Sequence, residues 1–397
     1  MRVLVNALTA AGTRTGIGHY TAQLLRCLAE RAGEAEVVSF PGPWLCRTRA
    51  VAAALQGRLA RASRPEEPGA GKPGWKARLA DGLRRRSQRL LERRFEATCR
   101  RGGWDLYHEP NFLPLPCEVP TVATFADLSL LLHPQWHPAD RVAHFERRLG
   151  PSLAQCRHIL AISDFSRQEI IRTLGLDPAR VTRTYMGVRA GLGPLPQNTV
   201  RRQLRRLGLP EQYLLCLGTV EPRKNVLTLL RAYCALPASV RGRYPLLLVG
   251  GWGWGAADVA EYLRREARHR GVRHLGYVSE HWLAALYNGA RALAYPSLYE
   301  GFGLPPVEML ACGGAVLAST AGAVAETAGS AAHLVEPLDT AGWRDALLRV
   351  CTDDGWWSQL RRGAAEAARP FTWERCAADT LDVYRKLTGS SAGRAAA

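Results

Sequence analysis

Residues 295–313, YPSLYEGFGLPPVEMLACG, constrain this chain more than any other stretch. Just ahead of them, Gly289 to Tyr295 (GARALAY) is a short apolar run that reads as a buried strand. From Pro305 onward the letters read as a helix, with proline at its first positions and glycine at its end. Between the two lies a tight loop, Glu300-Gly301-Phe302-Gly303. A strand delivered through a glycine loop into a helix is the repeating unit of a parallel α/β sheet. The start of such a helix leaves backbone N–H groups unpaired, and its dipole favours an anion in front of it, above all a phosphate. Two carboxylates bracket the loop, Glu300 and Glu308. A carboxylate repels phosphate but suits hydroxyl groups, and a sugar or a ribose beside a diphosphate has several. The stretch can therefore hold a sugar diphosphate by both ends. The same letters also make an ordinary helix start, so the rest of the chain must decide.

The unit recurs. Arg2 to Ala7 reads as a strand, followed by a loop containing Gly16 and Gly18 and a helical pattern from Tyr20 to Glu30. The glycine spacing is not that of a dinucleotide-binding loop. Further strand candidates are Val37 to Phe40, Trp104 to Glu109, Thr121 to Ala126 and Ile159 to Ile162. In a parallel sheet, ligands collect at the carboxyl ends of the strands. His108, Glu109, Asn111, Asp127 and Ser163 stand at such ends and are candidates for the floor of an acceptor pocket. Gly191 to Asn198 (GLGPLPQN) reads as a linker. A second series opens with Tyr213 to Gly218, followed by Arg223-Lys224-Asn225 at the start of a helix. The helix dipole disfavours cations there, so the pair needs another reason. Two cations at that position can neutralise a diphosphate without a metal: Arg223 by paired hydrogen bonds, Lys224 as a point charge.

The 397 residues suffice for two domains with full cores. The formal charge of +18 predicts acidic partners. Half of it sits in residues 57–101, where fourteen Lys/Arg face five Asp/Glu, a local balance of +9. Within that region Trp75 to Thr98 has near-helical apolar spacing. It can lie on an anionic membrane or pack its stripe on its own domain. No nucleic-acid fold motif accompanies the charge, so no nucleic-acid partner is expected. Ten cysteines include no CxxC pair or zinc-finger spacing, and read as reduced thiols of a cytoplasmic protein. No metal or resident cofactor is expected.

Together the Arg223-Lys224 pair, the Tyr295-Pro296-Ser297 run and the two glutamates, in that order and spacing, resemble the family 4 retaining glycosyltransferases of GT-B fold. The resemblance covers nearly the whole chain and is weakest between Arg47 and Arg101. It implies two Rossmann-like parallel-sheet domains facing a cleft: an acceptor domain over 1–190, a linker over 191–210 and a nucleotide-sugar domain over 211–371. A helix over 372–388 would cross back to the first domain, and 389–397 would be a disordered tail. It further implies transfer of a mannose- or glucose-like hexose from a nucleotide sugar to a glycan or lipid-linked hydroxyl, in surface polysaccharide or glycolipid synthesis. The site residues it implies are Glu300, Arg223, Lys224 and Asp127 at the reacting centre. Gly16, Gly18, Gly218, Val278, Gly301, Phe302, Gly303, Leu304 and Glu308 would line the donor, with Glu300 on sugar hydroxyls and Glu308 on the ribose. One position departs from the pattern. The family's His-Asp-Leu run is here Ala126-Asp127-Leu128, and a histidine that contacts the donor sugar is absent; either Asp127 or a nearby histidine takes its place, or the pocket uses the sugar differently, or catalysis is weakened. The alternative reading is a nucleotide-sugar-binding protein with impaired catalysis.

Overall fold

The computed structural model describes residues 1–11, 16–31, 33, 35–42 and 89–392. The described residues form two six-stranded sheets. The first has the order β2-β1-β3-β4-β5-β6, from β1 (Arg2–Asn6), β2 (Glu36–Phe40), β3 (Leu106–Glu109), β4 (Thr121–Phe125), β5 (Cys156–Ala161) and β6 (Val181–Arg183). The second has the order β12-β11-β10-β7-β8-β9. Its strands are β7 (Tyr213–Leu217), β8 (Leu246–Val249), β9 (Val272–Gly276), β10 (Ala290–Tyr295), β11 (Val316–Ser319) and β12 (Ala332–Val335). Every neighbouring pair runs parallel. Helices cover both faces, so the central strands are apolar throughout rather than alternating: Leu246–Val249 and Thr121–Phe125 are buried at every position.

The join between the sheets is not an open coil. It contains the helix Gln197–Arg206, which buries Val200 and Leu204. Gly289 is what lets that helix in, because a Cβ there would lie 2.7 Å from Leu204 Cδ1 and 2.9 Å from the Tyr213 hydroxyl. The chain returns to the first sheet at its end. The helix Trp373–Ala392 packs on the helix Gly16–Ala29, with Trp373 tilted against Tyr20 at 6.0 Å between ring centroids. The outgoing and returning segments touch: Val188 N–H donates to the Phe371 carbonyl, and a Cβ on Gly187 would lie 2.3 Å from the Trp373 nitrogen. The terminal helix runs to Ala392, beyond the tail boundary placed at 389; residues 393–397 lie outside the described residues. Of the basic segment, 89–100 is helical, with Phe95 buried against Phe40 and Tyr107 and with Arg89, Arg93, Arg94 and Arg100 exposed. The remainder of that predicted helix lies outside the described residues.

Candidate active site

Strands β7 and β10 are neighbours, so the loops leaving their carboxyl ends meet. The first carries Arg223 and Lys224, the second Tyr299 and Glu300. Glu300 is almost wholly buried and receives both cations: Arg223 Nη1 at 2.7 Å on one oxygen and Lys224 Nζ at 2.5 Å on the other. The Tyr295 hydroxyl donates to the same oxygen as Lys224 at 2.8 Å. Burial alone would raise the Glu300 carboxyl, but Arg223 and Lys224 outweigh it and hold it down at about 2. Burial works equally against the Arg223 charge, and Glu300, Asp127 and Glu221 more than offset it. The Arg223 guanidinium also donates to Glu221 at 3.0 Å and to the Tyr299 carbonyl at 3.2 Å. Gly218 adopts φ +150°, a conformation that side-chain-bearing residues rarely take, and the Lys224 stem passes 3.6 Å from where its Cβ would be. Arg223, Lys224, Glu300 and Gly218 thus form one cluster. Glu300, given by the resemblance to sugar hydroxyls, also serves as the internal counter-ion of the cation pair.

The loop after Glu300 is pressed against the first sheet. A Cβ on Gly301 would lie 2.0 Å from the Ala126 carbonyl oxygen and 3.0 Å from the Asp127 Cβ. Ser166 Oγ donates to the carbonyls of both Ala126 and Gly301, at 3.0 and 3.2 Å. The Tyr299 hydroxyl joins Leu128 N–H to the Glu169 carboxylate. Glu326 of the second unit accepts from Asp164 N–H at 2.8 Å and Phe165 N–H at 2.7 Å, at the start of the helix Asp164–Leu174. Asp127 therefore sits directly across from Gly301, Tyr299 and Arg223. Phe302 and Leu304 turn their side chains into the core, so only their backbone faces the loop. Gly303 adopts φ +85°, a conformation open to glycine, as the helix Leu304–Ala311 begins. Gly16 opens the helix Gly16–Ala29, and His19 Nδ1 stands 3.7 Å from Glu280, so this helix start faces the loop that follows Val278.

Four of the residues expected at the site are buried in internal hydrogen bonds. Glu308 is fully buried, with Arg189 Nη1 2.6 Å from both of its oxygens and the Tyr287 hydroxyl at 2.7 Å. Both of its oxygens are thus engaged from inside the protein by Arg189, one of them also by Tyr287. His108 is also sealed: Nδ1 pairs with the Tyr384 hydroxyl at 2.6 Å and Nε2 with Thr124 Oγ1 at 2.8 Å. Burial drives its pKa down to about 3, so it is a neutral core residue tying the terminal helix to the first sheet. Glu109 is buried too, accepting from Asn6 Nδ2 at 2.6 Å, the Tyr107 hydroxyl at 2.8 Å and Asn111 N–H at 3.1 Å. Ser163 is fully buried and caps the helix Asp164–Leu174 by accepting from Ser166 N–H at 3.0 Å. All three side chains are engaged in internal hydrogen bonds in this arrangement. Asn111 is half-buried in the turn after Glu109. The sequence reading missed Arg189, Tyr295, Tyr299, Glu221 and Glu326. Tyr295 and Tyr299 stood within the organising stretch. Arg189 and Glu326 act across long sequence separations that no local signal marks.

Two parallel sheets whose loops meet around a cation pair, a glycine loop and a buried glutamate define a GT-B glycosyltransferase. The chain belongs to the family 4 glycosyltransferases. The model for Glycosyltransferase Family 4 matches residues 14–191, and that for Glycosyl transferases group 1 matches residues 211–353. The O-antigen chain mannosyltransferase B of Escherichia coli is 36% identical over 382 residues, 94% of this chain and 96% of that protein. A D-inositol 3-phosphate glycosyltransferase of Nocardioides is 35% identical over 246 residues, 57% of this chain and 53% of that protein. Among solved structures, a sucrose-phosphate synthase of Thermosynechococcus elongatus superposes with a TM-score of 0.70 at 19% identity, covering 98% of this chain and 100% of the other. Anabaena HepE in complex with UDP and glucose superposes with 0.69 at 18% identity, covering 96% and 99%. The last two share the fold.

Proposed function

We propose that this enzyme moves a mannose-like hexose from a nucleoside diphosphate sugar to a hydroxyl of a growing surface glycan, with retention of anomeric configuration and without a metal. The observation that carries the reading is the Arg223–Glu300–Lys224 cluster at the mouth of two adjacent strands, opposite Asp127. In the reaction the bond from the anomeric carbon to the diphosphate oxygen breaks as the bond to the acceptor oxygen forms. The acceptor proton leaves with the diphosphate. Arg223, Lys224 and the glycine loop stabilise the charge growing on that diphosphate. Because Arg223 is already fixed by Glu300, Glu221 and the Tyr299 carbonyl, and Lys224 by Glu300, little reorganisation of the cations is needed when charge develops. The choice of mannose and of a surface glycan follows the likeness to the mannosyltransferase B along nearly its whole length. The exposed arginines of helix 89–100 would hold the enzyme at an anionic membrane face, where a lipid-linked acceptor waits.

The test is turnover with a panel of UDP-, GDP- and dTDP-hexoses and an oligosaccharide acceptor, for the native chain and for Lys224→Ala. Transfer from one nucleotide class, lowered about 100-fold or more in Lys224→Ala, is expected when a transition-state cation is lost. Donor binding without transfer would favour the impaired-catalysis reading, and no binding of any nucleotide sugar would overturn the transferase.

A further inference from the structure

The segment between β4 and the helix Ala139–Gln155 carries His137, one of the histidines near Ala126. Asp127 Oδ1 accepts from Ser129 N–H at 2.9 Å, and Ser129 Oγ lies 3.0 Å from His137 Nε2. Asp127 and His137 thus both hold Ser129, one through its backbone and the other through its hydroxyl. The other ring nitrogen, Nδ1, is buried and has no hydrogen-bond partner among the described residues. So is Arg223 Nε, on the opposite wall. A buried polar nitrogen without a partner is costly, and proteins keep one where a ligand or an ordered water completes it. The second unit closes over the histidine: Trp254 tilts against its ring at 6.0 Å and donates from Nε1 to the Trp136 carbonyl. Arg141 stacks on that indole, 4.5 Å from its centroid. Burial lowers the His137 pKa, and Asp127, Arg223 and Glu221 all act on it from around the same space. The imidazole is therefore neutral near pH 7, with one nitrogen engaged by Ser129 and one to offer.

We infer that His137 Nδ1 hydrogen-bonds a hydroxyl of the transferred hexose, between Asp127 on one wall and the diphosphate cation Arg223 on the other. The inference rests on the nucleotide-sugar reading above, because it is the Arg223–Lys224 pair that places the sugar there. It gives this chain a sugar contact from the loop after β4, although the strand end itself carries Ala126.

Asn and Gln separate the two nitrogens, since the Asn amide falls near the Nδ1 position and the Gln amide near Nε2. The readout is the affinity ratio between a nucleotide sugar and the bare nucleoside diphosphate, together with kcat and KM for the donor. His137→Ala and His137→Gln are expected to lose about tenfold of that ratio, one hydrogen bond to a buried group, with bare diphosphate affinity unchanged. His137→Asn is expected to keep most of it. The converse pattern, Gln retained and Asn lost, would mean that His137 only holds Ser129 and would overturn the inference. Equal ratios in all variants would overturn it as well. Failure of the parent reading looks different: the native protein itself would then show no preference for any nucleotide sugar.

Discussion

Replacing Glu300 by Gln keeps the shape of the site and removes its only charge shared between Arg223 and Lys224. The carboxyl is held from 4.5 down to about 2. At 1.36 kcal/mol per unit that is roughly 3 kcal/mol of favourable interaction at neutral pH. Because the folded value is depressed, this stability is present above about pH 4.5 and is lost as pH falls towards 2. Glu300→Gln should therefore be less stable by about 3 kcal/mol at pH 7 and closer to the native protein at pH 3. The same change frees two buried cations. A bare nucleoside diphosphate should then bind more tightly, by about tenfold or ~1.4 kcal/mol, because it no longer competes with Glu300 for Arg223 and Lys224. Hexose transfer should fall steeply at the same time, since the freed cations hold the product. Urea unfolding at the two pH values and calorimetric titration with the nucleotide read both effects. Unchanged stability at pH 7, or weaker nucleotide binding, would refute the claim that Glu300 is the counter-ion of the pair.

Two further substitutions probe the buried carboxylates. Arg189→Ala strands Glu308 in the core and should cost about 3–5 kcal/mol in unfolding experiments. Burial already raises the Glu308 pKa against the pull of Arg189, so the variant should suffer more at pH 8 than at pH 5, where the carboxyl can take a proton. Glu109 is raised by burial to about 7, so its contribution to stability is full below about pH 4.5 and declines as pH rises to 7. Glu109→Gln should flatten that slope and leave the acceptor KM within about twofold, as befits a residue that touches no acceptor.

Much of the fold was legible because parallel strands buried on both faces read as continuous apolar runs, as in Leu246–Val249 and Tyr213–Leu217. That the Arg223-Lys224 pair and Glu300 meet was legible because each lies at a strand's carboxyl end, and β7 and β10 are neighbours. What was not legible depends on which side chain reaches which. Glu308 stands in a helical first turn that suits a ligand contact, and only the distant Arg189 and Tyr287 reveal that it is closed off. His108 and Glu109 stand at a strand end, where ligands gather. The returning terminal helix covers His108 with Tyr384, and Asn6 and Tyr107 enclose Glu109. A histidine near Ala126 was expected as a replacement, but nothing local singled out His137, whose setting comes from Ser129 and from a tryptophan more than a hundred residues away.

The most direct measurement follows the anomeric proton by NMR during transfer from the preferred nucleotide sugar to an oligosaccharide acceptor, in buffer containing a metal chelator. The account predicts a product whose glycosidic linkage has the same anomeric configuration as the donor, formed at an undiminished rate. An inverted linkage, or a reaction stopped by the chelator, would contradict it.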